Sequence, residues 1–539
     1  MPTVVEKLLP IIGIIIVIGI VIWRLPKVEI QHTKEFEARR RLNWIFLGLT
    51  YAFLYFGRYN LAVVRTVLDS DSCDMALHGI TCGLLTNDLY GKIYSIGSIV
   101  YGCSVVLNAP LCDKFGGRKT LMIGAIGASI ANLLMALYLF NYQAIMDATG
   151  GSLSLITAFI PLFALNMYFQ SFGAISIVKV NSAWFHVRER GLIGGIFGAL
   201  ISLGLYFAYD WNGMIVANLH SSFAFFIPSA ILFVMFLVTI FVIRDSPAKA
   251  GFPELNTGDA TSGDTGPQLS VIQVFKKIIT NPIIITIACI EFCSGYIRDG
   301  IMQWGQSAGK NIPIHHGNFI FENWGMVSCC AGILAGMFAG IISDYVFKSR
   351  RGPVAAILYS GLLIFCIVLF FVLGNPLFGV TFACMVLCVI GVHGMLSGTA
   401  SMDFGGSKNA GIATGIIDGF AYLGSATSAY LLGMYLPSKS RGDAPEFIAN
   451  PDNWSIWPKL LLPAIIIGLI LSIRIWNAKV QPKKKDETPK ADETPEIDVN
   501  SEKEDEAEEV KDEKKEDDKD DKDDGKPKDD AETLSPEEL

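Results

Sequence analysis

The stretch Asp113-Lys-Phe-Gly-Gly-Arg-Lys119 (DKFGGRK) lies between two long apolar runs, and a similar stretch, Asp344-Tyr-Val-Phe-Lys-Ser-Arg-Arg-Gly352, follows 231 residues later. Two other features repeat at similar offsets. The Gly-rich run that opens at Arg190 resembles the run that opens at Asn409, about 220 residues on, and Arg58 is matched by Arg298, 240 residues on. Three matches in register at about half the chain length indicate two similar halves in tandem.

Twelve apolar runs surround these repeats, six in each half. Crossing about 30 Å of hydrocarbon takes about 20 residues of helix, and each run is about that long. The divider, from Arg244 to Gln273, contains NTGDATSGDTGPQ, which is typical of a loop. The composition, 51% hydrophobic and 17% charged, also indicates a membrane protein. The predicted spans are Leu42–Val64, Leu89–Cys112, Leu121–Phe140, Leu153–Val178, Leu192–Trp211, Phe223–Ile243, Pro282–Trp304, Phe321–Ser343, Val354–Leu373, Pro376–Thr399, Gly411–Tyr435 and Trp457–Trp476.

The two ends of the chain differ from this pattern. A further apolar run, Leu8–Trp23, has its basic residues behind it and no small-residue cleavage site, which predicts a retained leading helix. From Gln481 onward there are 12 Lys and 26 acidic residues, a net charge of -14, against +6 for the remainder. This tail has too few apolar residues to form a core, so we predict that it is disordered. It is either a solubilising tail or a docking site.

Basic residues concentrate in the loops on one side of the predicted spans, including DKFGGRK and the central divider. The opposite loops carry only Arg65, Lys310, Lys439 and Arg441, with Lys92 at a span edge. The excess of Lys and Arg in cytoplasmic loops predicts that DKFGGRK, the divider and the tail are cytoplasmic and that the N-terminus is outside. We expect a multi-pass protein of a plasma membrane or bacterial inner membrane. The loop with Cys73 and Cys82 is then outside, where a disulfide is one possibility.

Arg58 and Arg298 lie inside apolar runs, each six residues before the end of its span. An arginine in lipid costs several kcal/mol, with estimates from about 2.5 to over 10, so it remains there only with a partner or facing water. Snorkelling to the surface is one interpretation. The other is a pair of guanidiniums at matched depth that together hold an anion, because their forked donors match phosphate or carboxylate oxygens. Two halves with a binding site between them, near the middle of the membrane, are typical of transporters.

The DKFGGRK loop resembles the signature of the major facilitator superfamily, and further motifs resemble its organophosphate:phosphate antiporter family. The resemblance covers residues 42–476 and implies an all-α membrane protein with the major facilitator fold, two six-helix halves and 12 spans. To this we add one extra N-terminal span and the disordered acidic C-terminal tail. The motifs are Trp44–Gly48, Tyr55-x-x-Arg58-x-Asn60, Phe169-Gln170, Trp184-Phe185, Arg188–Gly191, Arg244-Asp-x-Pro247, Gly251-x-Pro253, Tyr296-Ile-Arg298-x-Gly300, Trp304, Ser343-Asp344 and Gly415 to Gly424.

The chain is expected to divide into five segments. They are a leading helix over 1–30, an N-terminal half over 31–243, a cytoplasmic central loop over 244–281, a C-terminal half over 282–478 and the tail over 479–539.

The resemblance implies that Arg58 and Arg298 hold a substrate phosphate and that transport is exchange against inorganic phosphate. Five aromatic residues either line the cavity or belong to the interfacial belts that are common near span ends: Tyr55, Tyr59, Tyr296, Trp304 and Tyr422. The family's extra histidine in the fifth span and lysine in the second are absent here, so a weaker or different anion is an alternative. Lys179, where the family has an arginine, is either a gate, a substitute charge or an interfacial lysine.

Other residues are candidates for coupling or gating. Asp113, Arg118 and Asp344, in the repeated loops, are expected to hold one state of a rocking cycle. Glu291 is two helical turns before Arg298 and is either an ion-pair partner or a proton site. Asp418 and His393 are further intramembrane titratable groups, and either a structural role or proton transfer fits them.

No phosphate loop, zinc motif or nucleophile elbow is present, so we expect no enzyme, no cofactor and no metal. The expected partners are a phosphorylated metabolite, inorganic phosphate and the lipid bilayer, without nucleic acid, and the chain is expected to be a monomer. Besides an exchanger, two functions remain: a proton-coupled organic anion symporter, and a transport-fold sensor of sugar phosphate.

Overall fold

A computed structural model describes residues 33–68, 83–186, 198–255, 279–347, 350–438 and 441–478, with isolated positions between residues 11 and 19 and between residues 257 and 276. Within these ranges, the side chains of residues 306, 310, 341, 344, 345 and 399–410 are not described. All regular structure in the described residues is helical, without a strand. The predicted all-α fold is confirmed.

In the described residues of the N-terminal half, seven helices are numbered α1 to α7. Residues 198–206 are also helical and continue through a π-helical turn, Phe207–Trp211, into the sixth of them. An unnumbered helix, Tyr142–Thr149, also belongs to this half, and a 3₁₀ turn, Ala248–Ala250, follows it. The numbered helices are α1 (Lys34–Phe56), α2 (Asn60–Leu68), α3 (Asn87–Phe115), α4 (Gly117–Phe140), α5 (Leu155–Trp184), α6 (Asn212–Asn218) and α7 (Phe223–Phe241).

The C-terminal half contains six longer helices and several short ones. The longer helices are α8 (Pro282–Met302), α9 (Trp324–Ile341), α10 (Arg351–Val372), α11 (Phe378–His393), α12 (Ser401–Tyr435) and α13 (Ile456–Arg474). π-Helical segments at Ile342–Val346 and Gly394–Ala400 follow α9 and α11. The short elements are Gly305–Asn311, Pro313–His315, Phe319–Glu322, Pro445–Ala449 and Pro451–Ser455.

Each of the twelve predicted spans coincides with helix in the described residues, although the boundaries differ. The helix α12, for example, begins at Ser401, ten residues before the predicted start at Gly411. The reason is that an apolar run marks the part of a helix in hydrocarbon and not the turns beyond it. By length and composition, seven helices of the described residues could each cross a membrane. The tail and the Cys73–Cys82 pair lie outside the described residues, as does most of the leading run.

The first predicted span, Leu42–Val64, is not one helix. The helix α1 ends at Phe56, and α2 begins at Asn60, so Arg58 lies in a break between them. Hydropathy alone cannot show such a break, because the run as a whole is as apolar as a continuous spanning helix. Side chains from other helices stabilise it, as described below.

The glycines of DKFGGRK make the predicted tight turn. Gly116 ends α3 with φ 90°, a conformation that L side chains rarely adopt, and α4 begins at the next residue. A Cβ atom on Gly117 would lie 2.7 Å from the carbonyl oxygen of Ser176 on α5. The first glycine therefore permits the turn, and the second permits close packing of α4 on α5.

Met1–Pro482 forms one compact unit in which the two halves pack directly on each other. The helix α12 packs against both α3 and α8, and small residues permit the approach. A Cβ atom on Gly102 of α3 would lie 2.9 Å from the carbonyl oxygen of Gly419. Near the other end of the pair, a Cβ atom on Gly91 would lie 3.1 Å from the Cα atom of Gly433. Contact therefore runs along much of both helices. The predicted segment boundaries stay predictions.

Candidate functional site

The break between α1 and α2 is held by buried amide side chains. Asn166 and Asn132 donate to the carbonyl oxygen of Gly57, at 2.9 and 3.3 Å, and Gln170 donates to that of Leu54 at 2.9 Å. Asn60 donates to Asn132 at 2.8 Å. These bonds satisfy backbone groups that an interrupted helix leaves without partners, which a membrane interior requires.

Arg58 projects from this break and is fully buried. Its Nε and Nη2 atoms donate to Oε1 of Gln170 at 3.3 and 3.1 Å, and Nη1 donates to the hydroxyl of Tyr422. Its guanidinium carbon lies 4.5 Å from the ring centre of Tyr55 and 5.0 Å from that of Tyr101. Cation–π contacts of this kind stabilise a desolvated cation. Arg58 is therefore held in one orientation, and it does not reach lipid.

Arg298, on α8 in the other half, is 4% exposed and is held less completely. Its Nε and Nη2 atoms are buried without a hydrogen-bond partner. The nearest acid is the adjacent Asp299, whose Oδ1 lies 3.7 Å from Nε, within ion-pair range but too far for a hydrogen bond. Buried donors of a charged group are costly to leave without acceptors. This guanidinium can therefore donate hydrogen bonds to oxygen atoms of a ligand.

Tyr422 of α12 lies close to both arginines. The guanidinium carbons of Arg58 and Arg298 are 5.7 and 5.6 Å from its ring centre, so their separation cannot exceed the sum of these distances. The ring of Tyr422 stacks on that of Tyr101 at 3.6 Å. One buried cation from each half thus faces the same aromatic side chain.

Three buried acids accompany the arginines. Glu291 contacts Nδ1 of His393 through Oε2 at 2.7 Å. Asp418 accepts from the hydroxyls of Tyr101 and Ser397, both at 3.3 Å. Asp299 accepts from the hydroxyl of Tyr94 at 3.4 Å through Oδ2. Glu291 Oε1 and Asp299 Oδ1 are buried without a hydrogen-bond partner.

The predicted lining residues Trp304 and Tyr296 have neighbours or directions that differ from those of Arg58 and Arg298. The indole of Trp304 is buried and packs against Arg65, 4.7 Å from its guanidinium carbon, and against Tyr90. Tyr296 precedes Arg298 by two residues, which places it on the opposite side of α8. Tyr59 lies in the break, with its ring 5.6 Å from that of Tyr55 and 6.5 Å from that of Tyr94.

At the end of the helices that carries DKFGGRK, which we call the Asp113 end, two predicted gating residues meet. Lys179 of α5 contacts Asp113 at 2.8 Å, and a Cβ atom on Gly411 of α12 would lie 3.0 Å from both carboxylate oxygens of Asp113. Arg118 instead contacts its own half, where it donates to the carbonyl oxygens of Thr239 and Ile240 at the C-terminus of α7. The side chain of Asp344 lies outside the described residues.

The opposite end, which we call the Arg65 end, has its own contacts between the halves. Arg65 donates to the carbonyl oxygen of Gln303 at 2.7 Å, and Tyr90 donates to the Gln303 side chain at 2.8 Å. Asp210 accepts from the backbone amides of Gly325 and Met326, at 2.9 Å each, at the N-terminus of α9. The halves therefore contact each other at both ends, with the buried arginines between.

Sequence reasoning did not select several residues that contact the predicted site: Gln170, Tyr101, Tyr94, Asp299 and Arg65. A usable signal existed for Gln170 and Asp299, because a charged or amide side chain inside an apolar run is costly and has a reason to be there. Arg65 directly follows the predicted span Leu42–Val64, so the pattern places it in a loop. Tyr94 and Tyr101 gave no such signal, since tyrosines are common in membrane helices.

Comparison with known proteins gives consistent matches. The model of the Major Facilitator Superfamily matches residues 47–429. A probable hexose phosphate transport protein of Chlamydia trachomatis is 25% identical over 490 residues, covering 84% of this chain and 94% of the relative. The glycerol-3-phosphate transporter of Bacillus subtilis is 24% identical, with 84% and 96% covered.

A third relative has a different kind of name. The membrane sensor protein UhpC of Salmonella typhimurium is 26% identical, covering 76% of this chain and 88% of the relative. Among solved structures, the nucleoside transporter NupG is similar with a TM-score of 0.52 at 13% identity, covering 81% of this chain and 98% of that chain. At that identity the likeness supports the fold alone.

Proposed function

The chain belongs to the Major Facilitator Superfamily, and we propose that it is a secondary active transporter that carries organic phosphate esters by alternating access in exchange for inorganic phosphate. The observation that carries this proposal is the pair of buried guanidiniums, Arg58 and Arg298, one from each half, on the same tyrosine. A phosphate between them receives forked donors from both halves. The relatives named for hexose phosphate and glycerol-3-phosphate transport support the same class of substrate.

Alternating access requires the contacts at the two ends to open in turn. At the Asp113 end, the carboxylate of Asp113 lies against α12, and at the Arg65 end Arg65 and Asp210 contact the C-terminal half. We propose that the Asp113 end is cytoplasmic, from the distribution of basic residues, and that the protein lies in a bacterial inner membrane. A ligand that pulls Arg58 and Arg298 together would transmit its binding to both halves.

Counterflow tests this function. The full chain is reconstituted into liposomes loaded with phosphate, and uptake of labelled phosphate or glycerol 3-phosphate is measured. We expect uptake only when the interior holds phosphate or a phosphate ester. We also expect that the membrane potential does not change enough to stop this uptake. Equal uptake into liposomes lacking internal anion would contradict exchange.

A proton-coupled anion symporter is the second candidate, and the Glu291–His393 contact at 2.7 Å favours it. This pair can share or pass a proton, and the other acids, Asp299 and Asp418, are carboxylates near the same arginines. In this case anion uptake would acidify the liposome interior, as read by an enclosed pH dye, and would need no internal anion. Glu291→Gln would then abolish uptake but leave counterflow in place.

A sensor is the third candidate, because one relative is named as a membrane sensor. A sensor binds phosphate esters without carrying them. Binding to the purified chain together with the absence of flux in both liposome assays would support it over the two transporters.

A further inference from the structure

The arginine pair explains the binding of a phosphate but leaves one buried acid next to it unexplained. Asp299 follows Arg298 directly on α8 and is 1% exposed. Its Oδ2 accepts from Tyr94 at 3.4 Å, whereas Oδ1 is buried without a hydrogen-bond partner. Burying a carboxylate oxygen without a donor is costly, so a ligand donor at this position would be favourable.

The unpartnered atoms of Arg298 and Asp299 lie close to each other. Nε of Arg298, which lacks an acceptor, lies 3.7 Å from Oδ1 of Asp299, which lacks a donor. A ligand that carries a phosphate and a nearby hydroxyl satisfies both, because phosphate oxygens accept from the guanidinium and the hydroxyl donates to the carboxylate. A ligand with a phosphate and a carboxylate satisfies only Arg298 and brings a second negative charge against Asp299.

The charges around the arginines point the same way. Two buried guanidiniums face three buried acids, Glu291, Asp299 and Asp418, within the same set of packed helices. A phosphate adds negative charge to this group, and an additional carboxylate would add more. Like charges in a region of low dielectric repel strongly.

We propose that Asp299 selects hydroxylated phosphate esters, such as sugar or polyol phosphates, against phosphate esters that carry a carboxylate. This inference rests on the proposed function and specifies its substrate class. Asp299 binds the hydroxyl, while Arg58 and Arg298 bind the phosphate.

The test compares ligands on the same full-length protein. Competition with labelled inorganic phosphate in detergent gives inhibition constants for glycerol 3-phosphate, glucose 6-phosphate and 2-phosphoglycolate, which carries a phosphate and a carboxylate but no hydroxyl. We expect at least one of the two hydroxylated esters to bind about tenfold or more tightly than 2-phosphoglycolate, since one hydrogen bond to a charged group is worth about 1.5–3 kcal/mol, a factor of roughly 10 to 150.

Asp299→Asn removes the charge at nearly constant shape. It should reduce the preference over 2-phosphoglycolate by about tenfold, through weaker binding of the hydroxylated ester and tighter binding of the acid. Asp418→Asn is the matched control, because it removes one buried charge near the same arginines, but both oxygens of Asp418 already have donors. It should tighten binding of the acid, because one repelling charge is lost, without weakening binding of the hydroxylated esters, so that weakening is specific to Asp299→Asn.

If the wild-type protein binds 2-phosphoglycolate as tightly as the hydroxylated esters, or if Asp299→Asn changes binding of all ligands equally, the hydroxyl subsite is wrong and Asp299 is only a counter-ion of Arg298. The wild-type comparison needs no variant to fold. The two levels of proposal fail differently. Phosphate binding without selectivity contradicts the subsite alone, whereas absence of binding by phosphate and every ester contradicts the proposed function as well.

Discussion

At the scale of single residues, the two arginines have different tasks. Arg58 has hydrogen bonds to Gln170 and Tyr422 and aromatic rings beside it, so its orientation is fixed before any ligand arrives. Arg298 has two nitrogen atoms without acceptors, so it has binding capacity left. Preorganisation reduces the cost of ordering on binding, while unpaired donors strengthen the attraction. We expect Arg298 to contribute more of the ligand's affinity and Arg58 to fix its position.

Arg58→Lys and Arg298→Lys should each reduce phosphate exchange at least tenfold while the protein remains folded in the membrane. A lysine keeps the charge but cannot donate from two nitrogens in a fixed fork, and losing one hydrogen bond to a charged group costs about 1.5–3 kcal/mol. Exchange in liposomes measures the effect, with the elution profile in detergent as the check on folding.

Arg441→Lys serves as the control, because Arg441 is exposed and its guanidinium donates only to the carbonyl oxygen of Tyr435 among the bonds described for it. It should exchange at the wild-type rate. Near wild-type exchange by either site variant would rule out the two-arginine clamp.

At the scale of elements, the break between α1 and α2 and the close pair α3–α12 are the two features that position the site. The break turns Arg58 away from the helix direction, and the amides of Asn166, Asn132 and Gln170 replace the missing helical hydrogen bonds. The α3–α12 contact brings Tyr101 and Tyr422 together. Both features depend on small or polar residues inside segments that are otherwise largely apolar.

Asn166→Ala should destabilise the protein by about 1–3 kcal/mol, because the carbonyl oxygen of Gly57 loses its shorter amide donor in a buried site. Chemical unfolding in detergent measures this loss, and exchange should fall with it because Arg58 is no longer held.

Asn218→Ala is the comparison for this change. Asn218 is exposed and bonds only the carbonyl oxygen of Met214 on its own helix among its described bonds. It should change stability by less than about 0.5 kcal/mol. Equal effects of the two variants would show that the break does not depend on Asn166.

Gly102→Ala should slow exchange, because its Cβ atom would lie 2.9 Å from the carbonyl oxygen of Gly419, and a backbone atom cannot give way cheaply. The helices α3 and α12 must then separate, and the Tyr101–Tyr422 stack with them. The rate of counterflow and the thermal midpoint are measured together.

Gly213→Ala provides the matched substitution in a helix, since nothing lies within 4 Å of a Cβ atom there. We expect it to leave exchange unchanged. If Gly102→Ala exchanges as fast as Gly213→Ala, close packing at that point is not required.

At the scale of the whole body, the two halves contact each other at both ends of the buried site. Asp210 is the clearest connection at the Arg65 end, since its carboxylate accepts from two amides of the other half at 2.9 Å each. A carboxylate at a helix N-terminus is favourable for the unsatisfied amides and for the helix dipole. This contact should therefore stabilise the state that is closed at the Arg65 end.

Asp210→Asn should raise deuterium uptake in the first turn of α9, because Gly325 and Met326 lose a charged acceptor worth about 1.5–3 kcal/mol per hydrogen bond. Hydrogen exchange with mass spectrometry measures this without added labels. Asp88→Asn is the control: Asp88 is also in the first turn of a helix, but it is partly exposed and pairs with Lys92 of the same helix. Unchanged uptake in Asp210→Asn would mean that this contact does not hold the halves together.

Much of the architecture was predictable because it depends on local patterns. Twelve apolar runs correspond to helix in the described residues, and the glycine turn of DKFGGRK forms as expected. The family prediction is confirmed by the match over residues 47–429. The helix boundaries were less accurate, and the break at Arg58 was missed, because hydropathy measures the average environment of a run and not its backbone hydrogen bonds.

By itself, the sequence determined the helical membrane fold, its internal repeat and the presence of two intramembrane arginines, since apolar length and the cost of a buried charge can be read one segment at a time. The tertiary structure alone decided what those arginines touch. The position of Tyr422 near both arginines depends on contacts between residues far apart in the chain, as does the packing of Trp304 on Arg65. The same is true of the atoms of Arg298 and Asp299 that lack hydrogen-bond partners. Such contacts follow from how whole helices pack, which no single segment specifies.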